Sequence, residues 1–280
     1  MGIHYFFWDP APSAFTIPII DHPIRWYSIC FALGFLGAYL IFRKLVYSYL
    51  HGSDKTTLTR YIDKLSWYLF VGLIVGARLG HVFFYDWPYY KAHPAKIVAV
   101  WEGGLASHGA AIGVLIALLL FWRRHKSDIP SLSLKKLLDF LSIGAAFAAG
   151  CIRIGNFFNQ EILGTYTTAW TAVWFGHPAE AWAKMPCHPV QLYEAAFYFS
   201  LCIVLLIINK IRSAKDGFLA GLFFVTLFTF RFFIEQIKLP QTATDATGLH
   251  MGQWLSVPFI ILGLCLLFNQ LGIDRIIKRK

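Results

Sequence analysis

The sequence predicts an all-α integral membrane protein of about seven transmembrane helices. Its amino terminus is expected outside, its carboxyl terminus in the cytoplasm, and a small extracytoplasmic head between the fourth and fifth spans. Three observations predict this. Of the 280 residues, 57% are hydrophobic and only 14% are charged, with a mean hydropathy of +0.56; a soluble domain of this size cannot hide so much apolar surface from water. Apolar windows of about the twenty residues that a bilayer core demands recur along the chain. Most of the 25 lysines and arginines fall in alternate connections, the asymmetry that orients membrane helices. A single membrane-embedded domain over 1–280 is expected, with the head at 154–189.

The segment 1–24 is aromatic and broken by Pro10, Pro12 and Pro18, and Met1–Phe7 has no basic start of the kind a signal peptide carries. It is expected to lie along the outer interface. Spans follow at 25–44, 63–85, 105–122, 134–153, 190–209, 217–236 and 253–271. The first opens on Arg25-Trp26-Tyr27, where the aromatics suit a membrane boundary. The second carries Gly72, Gly76 and Gly80, a stripe that lets another helix approach closely. A glycine-rich entry, Trp101 to Ala110, brings His108 to the outer end of the third. The fourth closes on Arg153 and leads into a long loop rich in tryptophan. His188, Gln191, Tyr193 and Glu194 cluster where the fifth begins, Pro189 suiting a helix's first turn. The sixth holds Arg231 and Glu235 four apart, on one face, where an ion pair is expected, and Lys238 follows before Pro240 ends the helix. His250-Met251-Gly252-Gln253 opens the seventh.

The basic residues of the first, third and fifth connections and of the tail mark the cytoplasmic side, against Lys91, Lys96, Lys184 and Lys238 opposite. The net charge of +10 thus reflects orientation and attraction to anionic membrane lipid, and no nucleic-acid partner is inferred from it. The five cysteines show no CxxC or ligand spacing, so neither a disulfide framework nor a metal is expected, and no cofactor.

Four arginines belong to no cytoplasmic connection: Arg25, Arg78, Arg153 and Arg231. Counted from the cytoplasmic ends of their spans at the helical rise, Arg78 and Arg231 stand about 21–22 Å up, in the outer half of the membrane. Such a group attracts an anion, and the phosphate of a phospholipid, which guanidinium grips in bidentate fashion, is the abundant one at that depth. The run Arg153-Ile-Gly-Asn-Phe-Phe-Asn-Gln-Glu-Ile-Leu-Gly164 places an arginine, two asparagines and a glutamate at a span's end. Polar residues there persist mostly where they pair with one another or with a ligand; ordinary capping by Asn156 or Asn159 is the plainer alternative. Neighbouring cations would keep the His108 imidazole neutral and able to accept a proton.

Seven blocks in order carry a resemblance. They are Arg25-Trp26-Tyr27, Gly76–Gly80, Trp101–Gly109, Arg153–Gly164, His188–Glu194, Arg231–Glu235 and Met251–Gln253. Together the chain resembles bacterial prolipoprotein diacylglyceryl transferases over nearly its whole length. The resemblance implies an inner-membrane enzyme working at the outer leaflet. It would move the diacylglyceryl group of phosphatidylglycerol to the lipobox cysteine of a prolipoprotein, releasing glycerol phosphate. Resemblance and geometry together assign Arg153 and Arg231 to the lipid phosphate, His108 to the thiol proton, and Asn156 to the headgroup. Glu161 and Glu235 would orient the arginines, Arg78 would join the anion site, and Tyr27 and Gly164 match positions tied to activity. The chain departs from the family pattern at Ala77, Ile152, Gln160 and Lys238, the last often arginine there. A transporter or binder of anionic lipid without turnover is the alternative class.

Overall fold

The computed structural model describes residues 5–18, 21–179, 185–211, 215–239 and 250–268. Pro240, the loop to Gly248 and the basic tail from Arg275 lie outside them. Among the described residues seven long helices stand where the apolar windows predict them: α1 (Trp26–Tyr49), α2 (Lys55–Phe84), α4 (Ser107–His125), α5 (Leu134–Phe158), α6 (Val190–Ile211), α7 (Phe218–Ile234) and α8 (Met251–Phe268), with a short α3 (Trp87–Ala92). Five of them are long and apolar enough to cross a membrane, and α8 is a shorter apolar helix. Hydropathy is a dependable guide here because a backbone in lipid has few ways to satisfy its own polar groups.

The all-helical expectation is corrected near the amino terminus. β1 (Phe6–Trp8) pairs in parallel with β4 (Val173–Phe175), and β2 (Ser13–Ile17) pairs antiparallel with β3 (His22–Arg25). Prolines exclude helix from this stretch, and strand pairing satisfies the backbone groups that remain. Arg25 therefore ends β3, exposed, rather than opening the first helix. The second span starts earlier than expected, at Lys55, because Asp54 caps it by accepting from Thr57 N at 2.8 Å and Thr56 N at 3.3 Å. The fourth span runs past Arg153 to Phe158.

The chain forms two compact units, Met1–Phe42 with Leu138–Lys280, and Arg43–Leu137. In the second, α2 and α4 touch backbone to backbone. A β-carbon at Gly76 would lie 2.3 Å from the Gly109 carbonyl oxygen, and one at Gly113 would lie 2.1 Å from that of Gly72. The glycine stripe is thus the contact surface itself. In the first unit, Gly217 caps α7 with no side chain to offer (φ 93°), and Asp139 of α5 supplies the missing acceptor. Its carboxylate takes Gly217 N and Ala220 N, both at 2.8 Å. A small head core of Phe157, Leu163, Val173, Phe175, Cys187 and Leu239, with Trp8 against it, covers the end of α5.

Candidate active site

The first unit gathers its polar residues around one carboxylate. Glu194, in the first turns of α6, is fully buried. Its Oε2 lies 3.0 Å from Arg153 Nε, and its Oε1 accepts from Tyr198 Oη at 3.0 Å and Lys238 Nζ at 3.2 Å. The Arg153 contact is a charge pair without hydrogen-bond alignment, since Oε2 accepts no aligned N–H. Lys238 is itself buried and also donates to Glu235 Oε2 at 3.1 Å. Arg231 lies within electrostatic reach of Glu194, Tyr198 and Lys238. The expected Arg231–Glu235 pair does not form. α7 ends at Ile234, Glu235 opens a 3-10 turn (Glu235–Ile237), and its carboxylate accepts from Lys238 instead. Among the described residues no hydrogen bond or ion pair engages the Arg231 guanidinium.

Arg153 extends the network along α5 and beyond. Its Nη1 donates to Asn156 Oδ1 at 2.9 Å, and Asn156 Nδ2 donates to Glu161 Oε1 at 2.7 Å. Asn159 adds a longer contact to the same oxygen, at 3.4 Å. Asn156 therefore relays between a guanidinium and a carboxylate, a role its short amide fills with one acceptor and one donor. Tyr27, at the start of α1, sits within electrostatic reach of Glu161 and Arg153.

Two glycines of the blocks make room. A β-carbon at Gly252 would stand 2.6 Å from the Glu235 carboxyl carbon, so α8 presses its backbone onto that carboxylate. One at Gly164 would meet the His188 carbonyl oxygen at 2.5 Å, and Gly164 bridges Lys238 in a short antiparallel contact. Gly164 thus acts through packing, holding the strand that delivers Lys238.

Arg78 belongs to the second unit and is differently used. It is buried. Its Nε donates to Ile97 O at 2.8 Å, Nη1 to Gly103 O and Gly104 O, and Nη2 to Lys96 O, while its guanidinium lies over the Tyr90 ring. Gly103 (φ 87°) and Gly104 (φ 68°) take left-handed conformations that turn these carbonyls inward. Ala106 N donates to Ala77 O at 2.9 Å, so α2 fixes the turn that starts α4. His108 is the second residue of α4; its side chain lies outside the described residues.

The structure thus brings together Arg153, Asn156, Glu161, Glu194, Glu235, Lys238 and Arg231 in one unit. Sequence reasoning gives Glu194 no role and names Lys238 only as a departure from the family pattern. The available signal was a polar stripe, Gln191, Glu194 and Tyr198, at three- and four-residue spacing on an otherwise apolar helix.

The prolipoprotein diacylglyceryl transferase family profile matches residues 12–269. The chain belongs to this family. A phosphatidylglycerol–prolipoprotein diacylglyceryl transferase of Tolumonas auensis is 43% identical over 93% of this chain and 96% of its own. Proteins of the same description from Porphyromonas gingivalis and Protochlamydia amoebophila are 39% and 33% identical, each over at least 93% of both chains. Within the family frame, the charge network of the first unit carries the block from Arg153 to Gly164 and the block ending at Glu194.

Proposed function

We propose that this chain performs its family's reaction with the charge network of the first unit as its phosphate site. The enzyme transfers the diacylglyceryl group of phosphatidylglycerol to the cysteine thiol of a prolipoprotein. A carbon–sulfur bond forms at the glycerol carbon while the carbon–oxygen bond to phosphate breaks, and glycerol phosphate leaves with the electron pair. Two demands follow: a thiolate, and cations that take up the charge growing on the leaving phosphate.

The observation that carries the assignment is the contrast within the network. Arg153 is held by Asn156 and Glu194, Lys238 by two carboxylates, and Arg231 by no described residue. Arg231 is therefore the cation with a whole fork to give, while Arg153 is already engaged by Asn156 and Glu194. Glu194 and Glu235 hold the cations in place between turnovers, and the Asn156–Glu161 pair faces the glycerol headgroup. Tyr27 lines this headgroup side, and Gly164 keeps Lys238 in register. His108 takes the thiol proton, and Arg78 serves it by fixing the turn from which α4 starts. The topology proposed is seven passes forming one catalytic domain, with the amino terminus and the head of 154–189 on the outer face of a bacterial inner membrane and the site at the outer leaflet. The basic connections support that orientation.

The test combines purified protein, phosphatidylglycerol and a one-cysteine lipobox peptide, read by mass spectrometry. The peptide should gain one diacylglyceryl unit as glycerol phosphate appears. Arg231→Gln should lower the rate about 10²–10³-fold, the cost of removing one donor from a developing anion, and His108→Gln should also lower it steeply. Normal turnover in Arg231→Gln would remove the phosphate assignment.

A further inference from the structure

Three observations meet at Gln160. Its backbone is left-handed, with φ 52°, a conformation costly for a residue with a β-carbon and free for glycine. Its side chain is nonetheless buried, at 3% exposure, and works at both ends. Nε2 donates to Asp9 Oδ1 at 3.2 Å, and Oε1 accepts from His177 N at 2.8 Å. The same Asp9 oxygen accepts from His177 Nδ1 at 2.6 Å, which closes a ring of three residues from three segments. The main chain repeats the connection, since Ala179 N donates to Gln160 O and Gly176 N to Trp8 O. Finally, the residue after Gln160 is Glu161, whose carboxylate accepts from Asn156 and whose carbonyl accepts from Gln191 Nε2 at 2.8 Å.

We infer that Gln160 is a positioning residue for the transfer reaction. It buckles the amino-terminal strand and the turn at Gly176–Ala179 to the Asn156–Glu161 pair, so that Trp8 and Asp9 belong to the scaffold of the headgroup site. A side chain in a strained backbone conformation persists where its surroundings over-determine it, and here they do so through Asp9 and His177. With the buckle closed, the turn between Asn156 and Glu161 has one geometry, and the amide that reaches the headgroup has one direction. With it open, the turn keeps its helix end and loses its outer anchor. This inference rests on assigning Asn156 and Glu161 to the lipid headgroup.

The experiment measures transfer to the lipobox peptide by the full-length protein across a range of phosphatidylglycerol concentrations. Gln160→Gly suits the backbone and should fold. It should raise KM for the lipid about tenfold while kcat stays within about twofold. Asp9→Ala should act in the same direction, and the double variant should be no worse than the poorer single one, since both open one buckle. Gln160→Glu keeps the shape and sets a carboxylate against Asp9; it should raise KM, and adding Asp9→Asn should recover most of the loss. An unchanged KM in Gln160→Gly, additive effects in the double variant, or no rescue would overturn the inference. Asn156→Ala, measured alongside, separates the two readings. If it raises KM while Gln160→Gly does not, the buckle alone is wrong. If it leaves KM unchanged, the headgroup assignment is wrong, and any effect of Gln160→Gly travels by another route than the one inferred.

Discussion

Arg78 and Arg153 are both buried arginines on apolar helices, and they are buried in opposite ways. Arg78 is solvated by backbone carbonyls, whose dipoles do not ionise and move only if the loop moves. Arg153 is held by side chains, Asn156 and Glu194, which answer in turn to other partners. The first arrangement makes a rivet and the second a socket. On the proposed reading, burial alone does not mark the phosphate-binding cation; what marks it is side-chain partners that a substrate's oxygens can replace.

The comparison can be tested from the largest expected effect downward. Glu194→Gln removes the carboxylate shared by Arg153 and Lys238. It should cost about 3–5 kcal/mol in stability, because Arg153 loses its buried counter-charge and Lys238 keeps only Glu235, as measured by thermal unfolding in detergent. Arg153→Lys keeps the charge and loses the fork. Transfer should fall about 10²-fold with thermal stability nearly unchanged. A stability loss larger than the activity loss would make Arg153 a rivet after all. Arg78→Lys should show the reverse pattern: about 2–3 kcal/mol of stability lost with the carbonyl contacts, and KM for phosphatidylglycerol unaltered. Gly76→Ala sets a methyl against the Gly109 carbonyl and should cost about 1–3 kcal/mol. Lys238→Arg, the smallest change, should leave transfer within about threefold, since the two carboxylates already in place accept either cation.

Much of the fold was readable because bilayer thickness imposes a length that composition reveals: among the described residues, five helices at the apolar windows are long and apolar enough to cross a membrane, and α8 is a shorter one. The strands at Phe6–Trp8 and Val173–Phe175 were not readable, since their pairing joins segments far apart in sequence. Within the site, Arg153, Asn156 and Glu161 stood out as polar residues at a span's end. Lys238 read from the sequence only as a departure from the family pattern near a helix end; the 3-10 turn at Glu235, after which its amine meets two carboxylates, leaves no mark in the residue types. The cage around Arg78 was hidden because it is made of carbonyls, which have no residue type. Only Gly103 and Gly104 hinted at it, and they read equally well as an ordinary helix entry.

The pairing of Arg153 with Glu194 also bears on how the chain enters its membrane. The two residues sit on successive long helices, so a nascent chain presents the arginine before its counter-ion has been made. A lone arginine costs about 2.5–3.5 kcal/mol at the centre of a membrane segment on translocon scales and less toward its end, and α6 supplies the remedy a few dozen residues later. α5 and α6 should therefore settle as a hairpin rather than one at a time. A chain truncated before Val190 should show α5 less fully inserted than the complete protein when its Phe158 end is mapped by glycosylation in microsomes, and equal insertion of the two would show that α5 needs no partner to stay.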